Sequence, residues 1–309
     1  MKNFKSYRYN PYVNKILFFF KKKTILSQLI LINIAVFILI NFANLFFWLF
    51  RVQPNNALGI SPLTYWLSVP SNLHLLIQRP WSIFTYMFLH ENFFHIFFNM
   101  LVLYFSGKIF LEYLSGKQLL NTYIIGGITG AVFYIVSFNI FPIFEASVNY
   151  SVALGASASV LAILVAIATY IPDYSVILVL FGRIKLKHLA IILVVIDILS
   201  ISRGNPGGHI AHLGGALWGY LSIVLLQNGY NNLFNLNNLH FTKFLNIFTK
   251  KKSNFSNNNQ RPISDEEYNR RKVKNQKKID KILDKISKSG YQSLTKEEKE
   301  LLFKASNKH

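Results

Sequence analysis

The chain contains no cysteine, so disulfides, cysteine-based zinc sites and thiol nucleophiles are excluded. Acidic residues are scarce, 13 against 33 Lys and Arg in 309 residues. Charge of either sign is nearly missing from several long runs. The net charge of +20 invites a nucleic-acid reading. Its distribution argues against one, because most of the excess lies in the two tails, as suits segments facing an anionic membrane leaflet. No nucleic-acid partner is expected. What is present in quantity is apolar: 52% hydrophobic residues, 28 of them Phe, and a mean hydropathy of +0.31. Uncharged runs of this length point to a polytopic membrane protein of the all-α class, with the lipid bilayer as its solvent.

Six runs qualify as spans, at about 24–48, 90–112, 118–140, 152–171, 186–201 and 209–227. The fifth is near the lower length limit. The first follows Lys21-Lys22-Lys23 like a signal peptide, but it is too long and no A-x-A-like site closes it. It reads as an uncleaved helix. Basic residues set the orientation. One side receives seven Lys and Arg before the first run, then Lys108 and Lys117, then Arg183, Lys185 and Lys187, and 18 after residue 228. The other side holds only Arg51, Arg79 and Arg203. Both termini are therefore expected to be cytoplasmic.

The predicted organisation is a basic cytoplasmic segment over 1–23, a six-helix membrane domain over 24–227, a linker over 228–261 and a cytoplasmic helical hairpin over 262–309. Residues 49–89 form a long outer loop with four prolines, and Trp66 and Trp81 suit the aromatic belt at the interface. The linker is Asn-rich and of low complexity. Beyond Pro262, Ser264-Asp265-Glu266-Glu267 reads as a helix start. Ile279, Ile282, Leu283 and Ile286 follow at helical spacing, Ser289-Gly290 is a stop, and a second helix starts from Ser293-Leu294-Thr295. A hairpin of this size is marginal alone and calls for a cytoplasmic partner or anionic lipid.

The polar residues inside the apolar runs carry the function. Ser157 opens a segment, Val160 to Ala168, with no ionisable group. From Ser157 to Ile171 a helix is about 22 Å long at ~1.5 Å per residue, against a hydrocarbon core of about 30 Å. If Pro172 marks one face, Ser157 lies below the other, and a polar group at that depth is more often functional than accidental. The second, fourth and sixth runs traverse in the same direction. Each has unusual polar residues near its N-terminal end: His90, His95 and Asn99; Ser157; His209 and His212.

His95 and Asn99, four apart, share a helix face. His90, five before His95, is expected to look elsewhere, about 140° away. The string from His90 to His95 is H-E-x-x-x-H, out of phase with the H-E-x-x-H of zinc proteases, so no metal and no cofactor is expected. Ser and His without a suitably placed carboxylate suggest a dyad. Asp197, on the short fifth run, could be a third member only if geometry promoted it and is read as a structural or hydrated outer-end residue. His209 is read as a polar residue near the membrane surface and not a catalyst. Oxyanion donors would come from the backbone N–H of Ser157 and the side chains of His95 and Asn99. Gly215 and Gly219 form a G-x-x-x-G pair permitting close helix approach. Ala158, Ala162 and Ala166 stripe the fourth run, which should be central.

These residues resemble the rhomboid family of intramembrane serine proteases, over about residues 25–227. The resemblance rests on Gly155-Ala156-Ser157-Ala158 for the family's G-x-S-x, on Ala211-His212-Leu213-Gly214-Gly215 for A-H-x-x-G, and on His90, His95 and Asn99 for H-x-x-x-x-H-x-x-x-N. It implies a six-transmembrane-helix rhomboid-like bundle plus the C-terminal hairpin, and a Ser157–His212 dyad. It also implies an oxyanion pocket from His95 and Asn99, with Gly155, His90 and Gly215 in support. The implied activity is serine endopeptidase cleavage of single-span transmembrane protein substrates near a helix end. The hairpin resembles an extension on some bacterial members, which implies a bacterial inner membrane. Departures are Trp81-Ser82 where Trp-Arg is frequent, Ala158 for a glycine, and Leu161 for an aromatic ring. The alternative is a catalytically silent rhomboid-like protein that binds membrane clients. Such relatives usually lack the serine or the histidine, and both are present here. A transporter would need ionisable residues along a path through the bilayer; here they stop at one side.

Overall fold

Thr24 caps the first spanning helix, its hydroxyl accepting from Ser27 N–H, and α1 then runs Ile25–Leu49. Most of its outward side chains, among them Ile38, Leu39 and Phe42, are exposed, as a lipid-facing helix requires. The computed structural model describes residues 20, 24–52, 59–178, 182–230, 279–286 and 289–306. They divide into two units, one within Met1–Phe110 and Gly116–Lys251, the other within Leu111–Ser115 and Lys252–His309.

In the first unit three short helices follow α1: α2 (Pro62–Leu67), α3 (Leu73–Gln78) and α4 (Ser82–Thr85). The other spanning elements are α5 (Phe93–Tyr113), α6 (Gly116–Ile140), α7 (Ser157–Tyr170), α8 (Leu186–Ser200) and α9 (Pro206–Gln227). The chain is a multi-pass helical membrane protein. Among the described residues four helices, α1, α5, α6 and α9, are long and apolar enough to cross a bilayer. The other two expected spans are shorter, 14 residues in α7 and 15 in α8. The expected span 152–171 loses its first turn because Val152–Ala153 pairs as a strand and Gly155 has φ +136°, outside any helix.

Two small antiparallel pairs interrupt the helical pattern. Strand β1 (Val69–Pro70) pairs with β2 (Val152–Ala153), joining the long loop to the segment that leads into α7. Strands β3 (Ser175–Leu178) and β4 (Gly182–Lys185) connect α7 to α8. The loop before α5 is an ordered structure with its own interactions. Trp66 and Trp81 stack at 6.1 Å, both partly exposed. The Arg79 guanidinium is buried, lies 4.0 Å from the Tyr65 ring centroid and donates from Nη1 to the Tyr65 carbonyl. Asn33 of α1 donates to the Tyr123 hydroxyl at 3.1 Å, which donates to the Met87 carbonyl at 3.0 Å. This chain of polar contacts satisfies three buried groups that would otherwise be costly in an apolar interior.

Helix α7 is the centre of the bundle: Ala158 to Ala168 are buried without interruption. Small residues make this possible. A Cβ on Gly215 would collide with the Ala158 carbonyl, and one on Gly219 with that of Ala162. On α6, a Cβ at Gly130 would come within 2.7 Å of the Ala158 Cβ. The alanine stripe of α7 is thus the surface on which the glycines of α6 and α9 close.

In the second unit, residues 279–286 are helical, with Ile282 buried, and Gly290 at φ +77° accompanies the stop. A second helix spans Lys296–Ser306. Thr295 and Glu298 form a reciprocal cap: Glu298 N–H donates to the Thr295 hydroxyl at 3.3 Å, and Thr295 N–H to the Glu298 carboxylate at 2.8 Å. The same carboxylate meets Lys285 Nζ at 2.9 Å. The expected start at Ser264–Glu267, the basic segment 1–23 except Phe20, and the linker beyond Tyr230 lie outside the described residues.

Candidate active site

Ser157 is the first residue of α7, so its N–H has no partner within the helix and points out of the N-terminus. Two residues earlier the backbone takes a left-handed turn at Gly155 and is pinned by Gly155 N–H donating to the Tyr86 carbonyl at 2.9 Å. A Cβ at Gly155 would lie 3.0 Å from Nε2 of His95 and 3.5 Å from Oγ of Ser157. Glycine here serves two ends: it permits the turn, and it leaves His95 and Ser157 facing each other across bare backbone.

Helix α9 starts at Asn205, a left-handed cap whose side chain accepts from Gly208 N–H, followed by Pro206 at the first helical position. Gly215 then brings α9 against Ala158, one residue past Ser157 and three past His212. On α5, Asn92 caps the helix by accepting from His95 N–H at 2.9 Å, and Asn99 donates to the His95 carbonyl at 2.9 Å.

A cavity of about 470 Å³ gathers the result. Its walls include His95, Asn99, Ser157 and His212, with Phe94 and Phe98 of α5, Leu161 of α7, and Leu193 and Ile196 of α8. Residues from four helices, from Phe94 to His212, thus surround one space lined by apolar side chains.

Three expectations change. His90 does not look away: its ring packs edge-on against His95 with centroids 5.1 Å apart. The helical phase does not apply to it, because α5 starts only at Phe93. Asp197 is not a hydrated end residue; it is 7% exposed and also lines the cavity. Its Oδ1 lies 2.7 Å from Nδ1 of His212 and 2.8 Å from Nδ1 of His209. His209 is accordingly tied into the site and is no mere surface residue. The three side chains offer one carboxylate oxygen and two ring nitrogens within 4.8 Å of one another, a set that would suit a small cation only with both nitrogens bare. Spacing alone does not give Asp197 its partners; the turn at Asn205-Pro206, which folds α9 back on α8, does. Tyr86 has no signal in the sequence, because it acts through its backbone carbonyl.

The fold and cavity define a polytopic helical membrane protein with serine, histidine and amide groups collected in one apolar space. Residues 78–228, a little under half of the chain, match the Rhomboid domain. It is 29% identical over 157 residues to RHOMBOID-like protein 12, mitochondrial, of Arabidopsis thaliana, covering 48% of this chain and 47% of that one. It is 32% identical over 135 residues to presenilin-associated rhomboid-like protein A, mitochondrial, of Danio rerio, covering 43% and 34%. The chain thus spans less than half the length of each of these curated relatives. Both carry mitochondrial names, which lends no support to a bacterial inner membrane. Residues 264–308 match a family of unknown function (DUF6576), which coincides with the C-terminal hairpin.

Proposed function

We propose that this protein is an intramembrane serine endopeptidase acting on single-span transmembrane proteins. The observation that carries the reading is the meeting of Ser157, His212, His95 and Asn99 on one cavity. In the proposed mechanism Oγ of Ser157 attacks the scissile carbonyl carbon while its proton passes to Nε2 of His212. The tetrahedral oxyanion accepts from Ser157 N–H and from the side chains of His95 and Asn99. An amide carries two donor hydrogens, and the His95 carbonyl engages one of those on Asn99. Collapse breaks the C–N bond, and His212 returns the proton to the departing amine. A water molecule then repeats the sequence on the acyl-enzyme, releasing the acid and restoring Ser157.

The excess of Lys and Arg on one side supports both termini being cytoplasmic, with the reactive groups toward the opposite face. A bacterial cytoplasmic membrane is the proposed location, on the strength of the hairpin's resemblance alone. Ser157→Ala and His212→Ala should each abolish cleavage of a single-span test substrate and labelling by a serine-directed fluorophosphonate, with insertion intact. The double variant should be no worse than either single one, since the pair acts as a unit. His95→Ala and Asn99→Ala should each lower kcat by about 10²–10³. Failure of the wild-type protein to cleave or label would favour the client-binding alternative.

A further inference from the structure

Helix α8 is held to the bundle by little. Of its 15 residues only Leu186, Ala190 and Asp197 are buried, and Ile191, Val195, Ile198 and Leu199 face outward. Asp197 is therefore the one anchor in its last turns. It is also the single acidic residue on α7, α8 or α9. A carboxylate buried among apolar helices is costly unless it is paired, and here both nearby donors come from α9, one turn apart.

We infer that Asp197 is the positioning residue for the His212 base, holding His212 and His209 through a single carboxylate oxygen; this rests on the protease reading above. An ionised carboxylate only accepts hydrogen bonds. Both imidazoles present Nδ1 to Oδ1, at 2.7 and 2.8 Å, so both carry their hydrogen on Nδ1. That tautomer leaves Nε2 of His212 bare, the atom that must take the proton from Ser157. When Nε2 is protonated the imidazolium lies directly against the carboxylate, which keeps its charge and takes no proton itself. His209, three residues before His212, is a second donor that holds the carboxylate in place. The assembly works as a triad with a spare donor, and it joins the orientation of the base to the seating of α8.

The test compares full-length wild type, Asp197→Asn, Asp197→Glu and His209→Ala in proteoliposomes, with kcat and KM separated and thermal unfolding followed in parallel. Asp197→Asn turns an acceptor into a group that can donate to Nδ1 and favours the wrong tautomer. It should lower kcat by about 10²–10⁴ while KM changes little. Asp197→Glu, which restores the acceptor, should regain at least about tenfold in kcat, and His209→Ala should lose about tenfold or less. Three results would overturn the inference. The first is Asp197→Asn keeping wild-type kcat while Ser157→Ala is inactive. The second is Asp197→Glu failing to regain rate while unfolding as early as Asp197→Asn, the pattern of a purely structural anchor. The third is loss of wild-type activity in a chelator and its return with Zn²⁺, which would make the three side chains a metal centre. A wild-type chain that neither cleaves nor labels overturns the protease reading first, and this inference with it.

Discussion

Replacing Gly155 with Ala separates two effects that the structure superimposes at that position. The backbone there has φ +136°, which L side chains rarely adopt, and forcing a residue into such a conformation costs about 1–3 kcal/mol. Gly204 has nearly the same φ, +137°, but an added Cβ there meets nothing within 4 Å. Gly204→Ala thus registers the backbone cost alone. At Gly155 the methyl would also sit 3.0 Å from Nε2 and 3.1 Å from Cε1 of His95 and 3.5 Å from Oγ of Ser157. The imidazole must give by a few tenths of an ångström, and the space between Ser157 and His95 is filled. Misplacement of reacting groups by about 1 Å costs on the order of 10² in rate, and a lost oxyanion donor about 10²–10³. Both variants should therefore unfold earlier by similar amounts, while only Gly155→Ala should lose about 10² or more in kcat. The assay is cleavage of a single-span substrate in detergent, beside thermal unfolding of the same preparations. Equal kcat in the two variants would refute the assignment of His95 and Ser157 to one pocket.

In the loop before α5, burial pulls the Arg79 guanidinium below its ordinary pKa, and its planar contact with Tyr65 is one that an ammonium does not reproduce. Arg79→Lys should accordingly lower the unfolding temperature nearly as far as Arg79→Ala; full rescue by Lys would show that charge alone matters. Asp173 accepts from Lys187 at 2.9 Å and Lys185 at 3.0 Å, which pull its carboxyl down to about 2. Because the folded value lies below the unfolded one of about 3.9, the contact contributes in full above that pH and is lost as pH falls through about 2. Carbon-13 titration of the carboxyl should show this midpoint, and Lys187→Ala should raise it; an unmoved midpoint would refute the pairing. Truncation after Gln227 should leave kcat and KM unchanged in detergent. A collapse of kcat in a truncated protein that still unfolds cooperatively would make the tail part of the enzyme.

Much of the site was legible because membrane solvation makes polar residues conspicuous. Ser157, His95, Asn99 and His212 stand out in runs where hydrocarbon tolerates few such groups, and helix parity puts them near one face. The six apolar runs and their order were equally plain, as were the glycines and alanines whose small size allows α6, α7 and α9 to meet. The sequence by itself also marked the helix start after Ser293-Leu294-Thr295, a local signal. What depended on distant residues was hidden. His90 was misplaced because helical phase says nothing of a residue before the first turn. The pairing of Val69–Pro70 with Val152–Ala153 unites segments some 80 residues apart, and no local pattern announces it. The partners of Asp197 were hidden because both histidines that meet it lie on α9, which folds back along α8. Periodicity reports which face a side chain takes on its own helix; only packing decides whose side chain it meets there.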